Sequence, residues 1–114
     1  MVILIMLESL LGNSTVEKIL FYLNTYGEGY PLEMARTFGA PVNRIQQQLR
    51  RLENGGIVVS RFLGRVRLYN LNPRYPFLKE LTVLLSRAFE FLPEAEKENY
   101  YRKRTRPRRA GKPL

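Results

Sequence analysis

The apolar residues in the first third of the chain recur at helical spacing. They form a stripe that comprises Val16, Ile19, Leu20 and Leu23. This stripe predicts an amphipathic helix that ends near Tyr26-Gly27. Ser14 stands three residues before Glu17 at the start of the stripe, which is the spacing of a capping box. The sequence therefore predicts Ser14 as the N-cap of this helix.

Two further helices are predicted on either side of a short link. Pro31 suits the first position of a short helix that continues over residues 32–38, and Gly39 ends it. After two more residues, a longer helix begins near Val42 and ends at Asn54, before a pair of glycines. Two helices joined by about three residues that include Gly are the signature of a helix-turn-helix motif.

The hydrophobic period then changes from helical to alternating. Residues 57–62 and 66–71 are rich in β-branched and aromatic side chains, and residues 63–65 between them predict a hairpin turn. Alternation offers four side chains of this hairpin for packing: Val59, Phe62, Leu68 and Leu71. The Asn72-Pro73 pair then ends the second strand.

A strongly amphipathic helix is predicted over residues 77–92, where Pro93 interrupts or kinks it. A polar helix over residues 94–104 follows. Residues 105–114 contain two Pro, one Gly and no large apolar residue before the last position. Such a composition predicts a tail that is disordered when unbound. The predicted fold class is therefore mainly α with a small β-hairpin (α+β).

The length of 114 residues fits one domain with one modest core. We expect that domain over residues 1–92, with dimerisation segments at both ends, and a polar helix with a basic tail over residues 93–114. The first seven residues are apolar, but Glu8 stops the run far short of the ~20 residues that span a bilayer. A signal peptide would also need a basic n-region. We expect a cytoplasmic protein that does not enter a membrane.

The net charge of the chain is +9, from 19 Lys and Arg against 10 Glu and no Asp. The excess lies in two blocks, since residues 36–74 carry eight Arg and one Glu, and residues 99–114 carry seven basic residues and no acid. Polyanions, nucleic acid before anionic membranes, are the natural partners of such a chain. The chain has no Cys and no His, which excludes thiolate and imidazole chemistry. We expect no enzyme, no metal site and no cofactor.

The longer helix of the pair has two distinct faces. At 100° per residue, its apolar positions are expected to face the core: Val42, Ile45, Leu49 and Leu52. The opposite side carries Arg, Gln and Asn, which read base edges in the major groove. Because the N-terminal part of a recognition helix reaches the bases, we predict base contacts by Asn43, Arg44 and Gln47, and phosphate contacts by Arg50 and Arg51. The alternative is an ordinary solvated face, but such a face mixes acids with bases, and here one Glu accompanies three Arg.

Three Arg surround the predicted hairpin turn, namely Arg61, Arg65 and Arg67. A two-stranded ribbon with Arg at its tip fits against phosphates or into the minor groove beside a recognition helix. Charges also protect an exposed β-edge, although Lys or Glu would serve that purpose equally. We therefore predict that these three Arg contact the DNA backbone.

These motifs together are similar to the winged-helix domain of ArsR-type transcriptional regulators. The pattern joins a capped helix, a short helix that ends in Phe38-Gly39, and a helix that ends in Leu52-Glu53-Asn54-Gly55-Gly56-Ile57. It especially resembles stand-alone versions associated with nucleotidyltransferase domains, in which the second wing strand leads into Tyr-x-Leu-Asn-Pro, as Tyr69-Asn70-Leu71-Asn72-Pro73 does here. The resemblance covers about residues 9–92 and implies sequence-specific DNA binding by a homodimer.

The chain departs from the metal-sensing members of that family, which use Cys and His ligands, so no metal response carries over. It also lacks a nucleotidyltransferase domain, so no catalytic activity follows from that association.

Two apolar segments remain, residues 1–11 and the helix over residues 77–92. The helix offers more apolar side chains than a small domain readily buries: Leu81, Leu84, Leu85, Ala88 and Phe89. We predict that these residues pair across a two-fold axis, which would place two recognition helices about 34 Å apart in successive major grooves. The alternative is that both segments cover the core of the same chain.

Three function classes follow. The first is a transcriptional regulator that binds double-stranded DNA, with the tail over residues 102–114 adding contacts to phosphates that do not depend on sequence. The second is an RNA- or single-strand-binding protein, since seven Tyr could stack on bases. Yet Tyr22, Tyr26 and Tyr69 occupy core or marginal positions, which favours the first class. The third is a protein-interaction module. A small-molecule effector is left open.

Overall fold

The structure is a computed structural model, and it describes residues 7–101. In chain order it contains α1 (Glu8–Leu11), α2 (Ser14–Tyr26), α3 (Pro31–Phe38), α4 (Val42–Asn54), β1 (Val58–Leu63), β2 (Val66–Leu71), α5 (Leu78–Phe89) and α6 (Glu94–Tyr101). The two strands form one antiparallel hairpin. The predicted class, mainly helical with a small β-hairpin, is therefore confirmed at this level. The apolar segment 1–6 and the basic tail 102–114 lie outside the described residues.

The α2 helix lies at the centre of the core, with its apolar stripe buried as predicted. Its N-cap is Asn13, whose Oδ1 accepts a hydrogen bond from the N–H of Val16 at 2.8 Å. The prediction of Ser14 as the cap was therefore wrong by one residue. Asn and Ser cap helices about equally well, so the pattern alone did not decide between neighbours. With Asn13 as the cap, Glu17 lies in the fourth helical position, where it does not complete a capping box.

The α3 and α4 helices follow the predicted punctuation. Pro31 is the first residue of α3, and Gly39 ends that helix in the left-handed conformation, with φ 65° and ψ 36°. Three residues separate the two helices, and α4 has the predicted bounds. Ile45 and Leu49 face the core as expected, but Val42 is 36% exposed. Val42 was wrongly assigned to the core because it lies at the edge of the apolar stripe, in the first turn of α4.

The hairpin has a simple register, from Val58 opposite Leu71 at its base to Leu63 opposite Val66 at its tip. The two residues between the strands form the turn, and Gly64 there has a φ of 65°. Two-residue hairpin turns require positive φ, which Gly adopts without steric cost. The predicted turn over residues 63–65 is thus confirmed to within one residue.

Packing of the hairpin side chains follows prediction only near the base. Leu68 is buried, and Val59 and Leu71 are half-buried. Phe62 was predicted to pack but is 64% exposed. All residues from 61 to 66 are exposed, so no core lies beneath the tip for Phe62 to enter. The guanidinium of Arg67 lies 4.3 Å from the centroid of the Phe62 ring instead.

A short backbone bridge joins the hairpin to the turn between α2 and α3. Gly29 and Tyr69 exchange two hydrogen bonds, N–H to C=O, of 3.0 and 2.8 Å. A Cβ at Gly29 would lie 2.5 Å from Cε1 of Tyr22, so the close approach of backbone to ring needs glycine. This bridge fixes one edge of the hairpin against the helical core.

The inner side of α5 packs on α2, which corrects part of the predicted dimer contact. Leu85 is 0% exposed and Ala88 is also buried in the core of the same chain. The ring of Phe89 is partly buried and makes an edge contact with Phe21. Assigning Leu85 and Ala88 to a contact between copies was wrong, because the helix needs them for its own docking. The predicted role of the half-buried Phe89 in a dimer stays a prediction. Leu81 is half-buried, and Leu84 remains on the outer face.

The α6 helix belongs to this core as well. Tyr101 is 2% exposed, and its ring makes edge contacts with Phe21 and Phe89 at centroid distances of 5.9 and 5.5 Å. The predicted domain boundary between residues 92 and 93 is therefore corrected, since the core extends to Tyr101. Within residues 7–101, no helix is both long enough and apolar enough to cross a bilayer.

Candidate nucleic-acid interface

The outer face of α4 presents a group of exposed polar side chains. Asn43, Arg44, Gln47 and Arg50 are all exposed, because the opposite stripe of the helix is anchored in the core. At about 100° per residue, Asn43, Gln47 and Arg50 lie within about 60° of one another on the outermost side. Arg44 lies on the flank that faces α2. The predicted base-contacting residues thus share one accessible surface.

A polar groove of about 470 Å³ separates α4 from the hairpin. It is lined by Pro31, Gln46, Arg50, Glu53, Arg67 and Tyr69. Two of these side chains are guanidinium groups, one from the helix and one from the hairpin. The groove therefore joins the outer face of α4 to the hairpin through a surface on which Arg50 and Arg67 both lie.

Hydrogen bonds hold the arginine of the hairpin in place. Nη1 of Arg67 donates to Oγ of Ser60 at 2.8 Å, and that hydroxyl donates to Oε2 of Glu53 at 2.7 Å. The Phe62 ring supports the guanidinium from one side. Glu53, the one acid of residues 36–74, is thus a structural link between α4 and β1. Sequence reasoning missed this role, because nothing in the position of Glu53, two residues before the Gly pair, indicates a hydrogen bond to β1.

Tyr69 forms the floor of the groove and is 7% exposed. Burial, and then the negative charge of Glu53, raise the pKa of its phenol above the ordinary value. The side chain is therefore a neutral hydroxyl at physiological pH. It adds no negative charge between Arg50 and Arg67.

The other two arginines of the hairpin do not share this groove. Arg61 lies on the opposite face of the ribbon, where its Nη2 is 2.9 Å from Oε1 of Glu28 and its Nη1 donates to Asn70. Arg65 lies in the exposed two-residue turn. The structure thus separates the three predicted backbone contacts into Arg67 beside α4, Arg65 at the tip and Arg61 paired with an acid behind them.

The second flank of α4 faces α2 and α1. Arg44 lines a small pocket of about 220 Å³ that also includes Ser14, Thr15 and Lys18 from the first turns of α2. Gln48 lies one turn beyond Arg44 on the same flank, and Arg51 lies two turns beyond it. Nη1 of Arg51 donates to Oε1 of Gln48 at 3.2 Å. The predicted phosphate-contacting pair is therefore divided, with Arg50 towards the hairpin and Arg51 towards the turn between α1 and α2.

Aromatic stacking surfaces are few on this side of the molecule. All seven Tyr lie within the described residues, and each of them is buried or half-buried. No cluster of three acidic residues suited to a metal ion occurs within residues 7–101. The accessible chemistry of this surface is thus mainly that of guanidinium and carboxamide groups, together with the exposed ring of Phe62 beside Arg67.

No protein-family model matches the chain, and neither a curated protein nor a solved structure matches it. The functional assignment accordingly depends on the geometry of the residues described above.

Proposed function

We propose that this protein is a winged helix-turn-helix protein that binds double-stranded DNA in a sequence-specific manner and regulates transcription. In this proposal α3 and α4 form the helix-turn-helix, and the β1–β2 hairpin is the wing. The observation that carries the proposal is the continuous surface formed by Asn43, Gln47, Arg50 and Arg67. It combines side chains that read bases with cations that neutralise phosphates. The acid beneath this surface, Glu53, accepts a hydrogen bond from the hydroxyl of Ser60.

The positions of these side chains support a division of roles. Asn43 and Gln47 form two hydrogen bonds with adenine, and Arg44 forms them with guanine, when α4 lies in the major groove. Arg50 and Arg67 face each other across the groove beside α4 and contact the phosphates of one strand. Arg65 extends this contact at the hairpin tip. Arg61 is paired with Glu28, and Arg51 lies on the other flank of α4, beside Gly12, so both contribute less.

A homodimer is the second part of the proposal, and the outer face of α5 supports it. This face leaves Val83 62% exposed and Leu84 partly exposed, and it forms a shallow apolar depression with flanking charges. On this face Glu80 stands three residues before Val83, and Arg87 stands three residues after Leu84. In an antiparallel pair of α5 helices centred between Val83 and Leu84, each Glu80 lies opposite the Arg87 of the other copy. Such a two-fold pair would present two α4 helices to one duplex.

Binding to a duplex of fixed sequence, measured by fluorescence anisotropy at several salt concentrations, tests the DNA-binding proposal. Arg50→Gln should weaken binding about tenfold and lower the salt slope by about one unit, because one phosphate contact is lost. Arg74→Gln is the matched control, since Arg74 is exposed but lies beyond the end of β2, away from the tip. Equal losses in both variants would mean that net charge, and not this surface, attracts the duplex.

Competition with single-stranded RNA and DNA in the same assay separates the proposal from its main alternative. Proteins that bind single strands use several exposed aromatic rings on which bases stack. Here every Tyr is at least half-buried, and the exposed ring of Phe62 is in contact with the guanidinium of Arg67. We therefore expect the duplex to bind more tightly than either single strand at equal salt. Tighter binding of a single strand would favour the alternative.

A further inference from the structure

A second cavity, of about 370 Å³, opens between α1, α2, α4 and α5, away from the hairpin. Its wall is mainly aliphatic and includes Leu11, Val16, Leu20, Leu52, Ile57 and Leu81. Three of these side chains, from α2 and α4, also belong to the buried core, which fixes the floor of the cavity. Leu10 on α1 lines it too and is 67% exposed, so the cavity is accessible from solvent.

A single cation lines this apolar cavity. The guanidinium of Arg51 borders it and approaches Gly12 so closely that a Cβ on that glycine would lie 3.0 Å from Nη2. Its hydrogen-bond partner is the neutral carboxamide of Gln48. None of the three ion pairs found within residues 7–101 involves Arg51. The guanidinium thus offers donors to an anion beside a wall of aliphatic carbon.

We infer that this cavity binds a small amphipathic carboxylate, with its apolar chain among the leucines and its carboxylate on Arg51. The volume lies within the range of about 300–1,000 Å³ that is typical of ligand pockets. A carboxylate accepts two parallel N–H bonds from a guanidinium, which adds both energy and orientation. An ammonium at the same place is repelled by Arg51, and a neutral alcohol makes a weaker hydrogen bond. The inference is independent of the DNA-binding proposal.

Three eight-carbon probes that differ only in their head group test this inference on the full chain. Titration calorimetry should give saturable 1:1 binding for octanoate. It should give binding at least tenfold weaker for octanol, and none for octylamine. Amide shifts in a two-dimensional NMR spectrum should locate octanoate at Leu20, Leu52 and Gly55, which all line the cavity.

Two variants and one control then test the residues. Arg51→Gln should weaken octanoate about tenfold, the loss expected for a charge-assisted hydrogen bond, and leave octanol unchanged. Arg44→Gln removes the same charge from the same helix but lies outside the cavity, so octanoate binding should not change. Gly55→Leu places a side chain in the cavity from a backbone that any residue adopts, with φ −85° and ψ 0°. It should abolish octanoate binding without changing the circular dichroism spectrum.

Each of three results would overturn the inference. The first is no saturable octanoate binding up to about 10 mM. The second is equal binding of octanoate and octanol, which would describe a general apolar surface. The third is an equal effect of Arg51→Gln and Arg44→Gln, which would mean that the net positive charge of the protein, and not Arg51, attracts the carboxylate of octanoate. All three are measured without DNA, so they leave the test of the proposed function separate.

Discussion

A buried carboxyl group makes the stability of this protein depend on pH. Glu17 lies in α2 and is 2% exposed. Its Oε1 has no hydrogen-bond partner among the described residues, while the backbone N–H of Leu7 hydrogen-bonds to the carboxyl group. Burial is the largest cause that raises its pKa, and the nearby charges of Glu96 and Glu8 add to it, so that the pKa rises from 4.5 to about 7. The variant Glu17→Gln removes the ionisation and keeps the size of the side chain.

The sign and the size of the effect follow from the difference between the folded and unfolded states. The folded chain keeps the Glu17 proton up to a pH of about 7, whereas the unfolded chain releases it near 4.5. The contribution of Glu17 to stability is therefore fully present below pH 4.5 and is lost as the pH rises through about 7. At about 1.4 kcal/mol per pH unit, ionisation of Glu17 costs about 3 kcal/mol above pH 8. Burial also raises the pKa of Glu96, so ionisation of Glu96 further lowers the free energy of unfolding as the pH rises.

Urea denaturation followed by circular dichroism at pH 5, 7 and 8.5 measures this effect. For the wild-type chain, the free energy of unfolding should decrease by about 2.5 kcal/mol between the first and last pH, because part of the change has occurred by pH 5. For Glu17→Gln most of that decrease should vanish, so that the variant is the more stable protein at pH 8.5. Glu90→Gln is the matched control, since Glu90 is exposed and forms only a surface ion pair with Arg87. If Glu17→Gln retained the full decrease of the wild type, ionisation of Glu17 would not be its cause.

Three further substitutions test the fold and the dimer. Gly29→Ala should lower the free energy of unfolding by about 1–3 kcal/mol in urea denaturation, because its Cβ overlaps the packed ring of Tyr22; an unchanged value would refute this close approach. Asn13→Ala should cost about 1 kcal/mol in the same assay, since the N–H of Val16 loses its cap, and Asn13→Ser should restore most of it. Leu84→Glu should convert a dimer into a monomer in sedimentation equilibrium at micromolar concentration, and a wild-type chain of 13.4 kDa at that concentration would contradict the dimer itself.

The elements that the sequence predicts well are those with strong local signals. The α3 and α4 helices have the predicted limits because Pro31, Gly39 and the Gly pair after Asn54 restrict the backbone regardless of tertiary context. The hairpin follows for the same reason, since a two-residue turn with Gly64 fixes its register. Periodicity also identified most of the side of α4 that packs into the core.

The failed predictions concern tertiary contacts, which periodicity does not specify. An apolar stripe on α5 indicates burial but not the partner, so Leu85 and Ala88 were assigned to another copy of the chain instead of α2. The docking of α6 depends on Tyr101, one aromatic residue at the end of an otherwise polar helix. Within the candidate interface, the sequence grouped the arginines of the hairpin together. Alternation across the ribbon separates Arg61 from Arg67, and a distant acid, Glu28, pairs with the former.

Selection of binding sites from a random duplex pool at about 150 mM salt tests whether the α4 surface recognises a DNA sequence. We predict enrichment of a defined motif, with two half-sites about one helical turn apart if the dimer binds as proposed. We also predict that the double variant Asn43→Ala, Gln47→Ala loses this motif while it still binds DNA through Arg50 and Arg67. A wild-type pool without enrichment, at a salt concentration where DNA is nevertheless bound, would contradict sequence-specific recognition by α4.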